Sequence, residues 1–158
     1  MSQTTRLPAD PGADQHPAWQ RWSVLGVISA GGLLGALARY GLASAWPHSP
    51  GRFPWATFST NVSGCFLIGI LMVLITEVWS AHRLLRPFLG VGVLGGFTTF
   101  STYTGDVQQM VAAGAARAAL AYLAGTLIAA LAAVYAGLTL TRLVTHNLPR
   151  EKRTVRPR

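Results

Sequence analysis

The chain has 158 residues, of which 51% are hydrophobic and only 11% charged, and its mean hydropathy is +0.37. A soluble domain carries about 25% charged residues, so this composition excludes an ordinary soluble fold and points to a membrane protein. Much of the net charge of +8 lies in the C-terminal tail, and the single cysteine, Cys65, excludes an internal disulfide.

In chain order, residues 1–20 are polar and proline-bearing and read as a disordered tail. The apolar sequence then begins too late, and runs too long, for a cleaved signal peptide. Four stretches are long enough to cross a hydrocarbon core: Ser23–Trp46, Pro54–Thr76, Phe88–Gly105 and Ala118–Thr141. The links between them, Pro47–Phe53, Glu77–Pro87 and Asp106–Arg117, leave no room for an extramembrane domain. The expected organisation is an all-α membrane protein: a tail over residues 1–20, a four-helix domain over 21–141, and a basic tail over 142–158. That last segment reads better as an anchor on an anionic lipid surface than as a nucleic-acid arm, because its basic residues have no interleaved aromatics.

Each stretch carries a polar feature. In the first, Gly31 and Gly35 are spaced to let a neighbouring backbone approach. Arg39 follows, and a central arginine costs about 2.5–3.5 kcal/mol on insertion scales. It either snorkels to the interface or sits at the mouth of an aqueous vestibule that attracts anions. The second stretch holds Thr57, Ser59, Thr60, Asn61 and Ser63. The amide of Asn61 needs partners, as interhelical glue or as a donor in a pore. The third contains Gly95-Gly96-Phe97-Thr98-Thr99-Phe100-Ser101-Thr102-Tyr103, a poor helix in the middle of an uncharged span. Backbone that leaves the helix at membrane depth is tolerated only where protein or a water-filled cavity satisfies it, so a break there marks an ion or substrate site. Phe97, Phe100 and Tyr103 recur every third residue, a spacing that would cluster them on one helix face. In the fourth, Tyr122 and Thr126 share a face, and Thr126 can also bond back to its own helix.

Enzyme chemistry finds little support. His16, His48, His82 and His146 lie in tails or links without metal-ligand spacing. The acids Asp10, Asp14, Glu77, Asp106 and Glu151 avoid the middle of every expected span. A proton-coupled exporter needs an embedded acid, so that reading is weakened. A buried, inert thiol is the expected state of Cys65.

Three motifs recur together in order: Gly31-Gly32-x-x-Gly35-Ala36-x-x-Arg39-Tyr40, Asn61-x-x-Gly64-x-Phe66-x-x-Gly69, and Gly95-Gly96-Phe97-Thr98-Thr99-Phe100-Ser101-Thr102. The set resembles the signature of the Fluc/CrcB fluoride channels over roughly Gly31 to Gly137. The resemblance implies four transmembrane helices per protomer with the third broken, and an antiparallel dimer with two fluoride pathways and a central structural sodium ion. By the same resemblance, the carbonyls of Gly95 and Thr98 would hold the sodium. Asn61, Phe100, Ser101, Tyr103, Tyr122 and Thr126 would belong to the fluoride pathway, and Arg39 to a vestibule. Two positions depart from the family pattern. Tyr103 stands where phenylalanine is usual, adding a donor and bulk. Ala130 stands where the polar track of the fourth helix calls for a hydroxyl.

The physics of fluoride agrees. A small, strongly hydrated anion needs close donors in place of its water, without a fixed positive charge that would trap it. Amide and hydroxyl groups serve, and aromatic rings present a positive rim. The expected function is therefore passive fluoride export across a bacterial cell membrane, relieving fluoride toxicity. The implied partners are fluoride, the lipid bilayer and a second antiparallel protomer, with no nucleic acid. A non-conducting helical subunit of a larger complex is the main alternative; it accounts for the glycines but not for Asn61 beside a hydroxyl-rich break. Basic residues gather on the side of the termini, with Arg83, Arg86 and the tail from Arg142 opposed by Arg52 and Arg117. That bias favours one insertion direction, and hence pairing with a separately encoded, oppositely oriented relative over a dual-topology homodimer.

Overall fold

A computed structural model describes residues 18–78 and 83–146, and among these every regular element is helical. Helix α1 is Ala18–Ala45. Helix α2 is Trp55–Val73, and it widens into a π-helical turn at Leu74–Val78. Helix α3 combines a π-helical segment, Pro87–Leu94, with a single α-turn, Gly95–Phe97. Helix α4 is Ser101–Ala112, and α5 is Ala116–His146. Three segments, Trp22–Ala45, Trp55–Glu77 and Ala116–Thr145, are long and apolar enough to cross a membrane. Leucines on α1 and α5 stand exposed, among them Leu33, Leu37, Leu120, Leu127 and Leu131. Such faces suit lipid, where exposed apolar surface carries no penalty. The chain is a multi-pass membrane protein.

The expected tails fall mostly outside the described residues. Where they overlap, α1 already includes Ala18–Gln20, and α5 continues through Arg142 to His146. At that end Arg142 Nε donates to Glu77 Oε1 at 2.9 Å, tying α5 to the end of α2.

The link expected at Asp106–Arg117 is instead largely helix. Asp106 read as the end of an apolar stretch, but α4 runs on to Ala112 and the real turn is short. It is built by Gly114, whose φ of 77° is open to glycine. The Gly114 N–H donates to the Val111 carbonyl and the Ala115 N–H to the Met110 carbonyl, the two bonds of a Schellman cap.

Two glycine seams set the packing. Along α1, Gly31 and Gly35 lie against the backbone of α3, where any Cβ would collide with the carbonyls of Phe88 and Val93. Between α2 and α5, Gly69 and Gly137 face each other in the same way. In lipid no hydrophobic force draws helices together, so close backbone approach through small residues is a main source of association. α4 lies on α5, where Met110, Ala119 and Tyr122 form a buried cluster with Phe53, Phe58, Tyr103 and Val107.

Candidate functional site

The chain leaves the helix after Phe97, and Thr98 is extended at φ −74°, ψ 156°. Helical structure resumes at Ser101. Phe97, Phe100 and Tyr103 therefore share no helix face, contrary to the spacing argument: the three-residue period crosses a break. Phe100 and Tyr103 stay neighbours, with ring centroids 5.9 Å apart.

Asn61 of α2 holds the break. Its Nδ2 donates to the Thr99 carbonyl, and the Thr99 N–H donates to its Oδ1, both at 2.9 Å. In an unbroken helix the Thr99 N–H would go to the carbonyl of Gly95. A second diversion follows one step along. The Thr102 N–H donates to Thr99 Oγ1 at 3.1 Å, just ahead of α4, and is thereby withheld from the carbonyl of Thr98. Two side-chain oxygens thus take the donors that a helix would have supplied to Gly95 and Thr98. The carbonyls so released are hard, neutral oxygen donors, the kind that suits a small monovalent cation.

The sequence motif showed a break but not how it is made. Thr99, absent from the expected site residues, is central to it. The signal was present as a threonine three residues ahead of Thr102 at a helix start.

Beside the break an open groove of about 530 Å³ brings together Asn61, Gly95, Thr98, Phe100, Tyr103 and Thr126, with Gly64, Cys65 and Ala130 among its other walls. No side chain lining it is ionised at neutral pH. Of the two amide hydrogens of Asn61, the clamp bond to Thr99 occupies one, leaving the second as a donor. Phe100 is 76% exposed on the protomer. Ser101 is exposed, its hydroxyl 3.3 Å from that of Thr99. Thr126 is buried and its hydroxyl donates to its own helix at the Tyr122 carbonyl, 2.7 Å away. Ala130 lines the groove one turn further on, so the position where the resemblance calls for a hydroxyl lies in the groove wall itself.

Tyr122 lies elsewhere. It is wholly buried and does not line the groove, its ring 5.1 Å from Tyr103 and 5.2 Å from Phe53. Its hydroxyl reaches Asp106 Oδ2 at 3.4 Å, and His48 Nε2 lies 3.6 Å from Asp106 Oδ1. Asp106 is only 5% exposed. The sequence reading missed this buried acid because it ended the third stretch one residue before it.

Arg39 occupies a second hollow of about 210 Å³ with Thr57, Thr60, Thr99 and Thr102. Its Nε is buried and has no hydrogen-bond partner among the described residues. The hollow offers a cation and several hydroxyls, a combination that attracts anions.

The profile of the family described as CrcB-like protein, Camphor Resistance, matches residues 26–138. The chain is 58% identical over 123 residues to the fluoride-specific ion channel FluC 2 of Nocardia farcinica, covering 78% of this chain and 88% of that protein. It is 57% identical over 116 residues to FluC 2 of Streptomyces avermitilis, covering 73% of each. It is 47% identical over 116 residues to the fluoride-specific ion channel FluC of Rhodospirillum centenum, covering 73% of this chain and 92% of the relative.

Proposed function

The chain belongs to the CrcB-like family, and from that premise we propose that it is a fluoride-specific channel giving passive export across a bacterial cell membrane. The observation that carries this reading is the groove at the helix break, which joins the second amide hydrogen of Asn61 and the rings of Phe100 and Tyr103 in a space without an ionised side chain. Fluoride must shed tightly held water to enter such a space. Neutral donors replace that water yet release the ion again, as conduction requires. The test is efflux from proteoliposomes containing the purified chain: fluoride leaves rapidly and chloride does not. Equal rates for the two anions would overturn the reading.

In this proposal α3 and α4 together make the third of four membrane passages, interrupted at Thr98–Phe100. The groove is open on one side, and a second protomer in the opposite orientation would close it. The asymmetry of basic residues favours a separately encoded relative as that second protomer. Cysteine labelling of the C-terminus in intact cells expressing this chain alone decides the point: labelling from one side fits a paired relative, and equal labelling with full flux fits a homodimer.

A sodium ion would be held by the carbonyl oxygens of Gly95 and Thr98, contributed by both protomers. The donor set fits, since Asn61 and Thr99 draw away the N–H groups that would otherwise occupy those oxygens. Once bound, the ion supplies a fixed positive charge that satisfies the carbonyls at the break; it is structural and does not travel with fluoride. Removing sodium should lower dimer stability or flux, measured by size-exclusion profile and efflux. Stoichiometric sodium movement with fluoride would contradict the assignment.

A further inference from the structure

Tyr103 stands where the groove meets α5. Its hydroxyl donates to the Leu123 carbonyl at 2.6 Å. Leu123 lies well inside α5, so this acceptor is fixed in place. A phenol has one hydrogen to give. Given to Leu123, it is not offered to an ion in the groove, and what remains on the oxygen is lone-pair density, which repels an anion. The ring edges carry the opposite sign, because the aromatic quadrupole leaves the rim positive.

The same bond holds the ring at both ends, by its Cα on α4 and by its oxygen on α5. A phenylalanine at this position would be held only at the first. The neighbouring rings, Tyr122 at 5.1 Å and Phe100 at 5.9 Å, pack against it at tilts of 58° and 47°.

We propose that Tyr103 is a positioning residue for conduction: its hydroxyl is a tether between α4 and α5 that holds the ring at the groove and leaves no O–H for the passing ion. The proposal rests on the fluoride reading.

The experiment compares the full chain with Tyr103→Phe and Tyr103→Leu in proteoliposomes. Tyr103→Phe keeps the ring and loses the tether. Fluoride flux should fall about two- to tenfold, the population change that one ordinary hydrogen bond governs, while the preference over chloride persists. Tyr103→Leu removes the ring and should lose most of the flux. A second readout does not depend on transport. The hydroxyl vibration of Tyr103, isolated as the infrared difference between wild type and Tyr103→Phe, should show a strong hydrogen-bond donor and stay fixed as fluoride is added. A band that shifts with fluoride, a Tyr103→Phe variant that loses discrimination against chloride, or one whose flux equals wild type would each overturn the proposal. If the wild type passes no fluoride, the channel reading fails, while the vibrational band still reports whether the tether exists.

Discussion

Two hollows flank Thr99, and they differ in kind. On one side lies the groove with Asn61, Phe100 and Tyr103, walled by neutral groups. On the other lies the smaller hollow with Arg39 and three further threonines, which holds a permanent charge. The two are built from the same helix break, since Thr99 lines both. A fixed charge attracts anions from a distance but holds them once they arrive. Neutral donors act only at contact and let go. Under the proposed function the difference implies a division of labour: the Arg39 side would gather ions, and the groove would pass them.

The largest effect should come from the groove. Phe100→Ile removes an exposed aromatic edge and should abolish fluoride efflux while the protein still assembles; wild-type flux in an assembled variant would erase the contrast between the hollows. Next, Asn61→Asp keeps an acceptor for the Thr99 N–H but loses the donor to its carbonyl. It also puts a carboxylate in the groove. Flux should drop by about tenfold or more, as expected when a fixed charge in a filter opposes the ion. Thermal unfolding in detergent should also begin earlier, because a backbone carbonyl left unpaired costs about 1–3 kcal/mol.

Arg39→Gln should be milder. Efflux should fall about two- to fivefold at low ionic strength, and the deficit should shrink as salt screens the charge. A loss as complete as that of Phe100→Ile, unaffected by salt, would place Arg39 in the conduit itself. Smallest is Ala130→Ser, which adds a hydroxyl to the groove wall and should change efflux by less than about twofold, since an isolated helical serine bonds back to its own backbone.

Much of this was legible in the sequence. The apolar lengths gave α1, α2 and α5 nearly whole, because a bilayer imposes a minimum length that few other pressures mimic. Gly95-Gly96 followed by hydroxyls marked the break, and Asn61 was marked by the cost of its amide in hydrocarbon. What was hidden depended on pairing across the fold. The sequence does not say that Asn61 grips Thr99 at both its N–H and its carbonyl, because the partners are far apart along the chain. It placed the end of a span at Asp106 because a carboxylate looks misplaced in lipid; only the fold brings Tyr122 and His48 to it. The fate of the Tyr103 proton was likewise invisible, since it ends on a backbone carbonyl that no side chain announces.

The glycine seams also fix a depth. Gly32 and Gly35 touch the break from α1, Gly64 meets Thr98 from α2, and Thr126 and Ala130 face the groove from α5. Each lies close to the middle of its own long apolar segment. The 31 residues of α5 extend about 46 Å at 1.5 Å per residue, well beyond the hydrocarbon thickness. Its overhang carries Arg142 out to meet Glu77 at the level of water. The ends of the helices can therefore tilt or slide to suit a thinner or thicker bilayer, while the groove stays at the centre. In the proposed channel an ion there would be far from either aqueous phase, and the contacts around the break would stand in for its lost hydration.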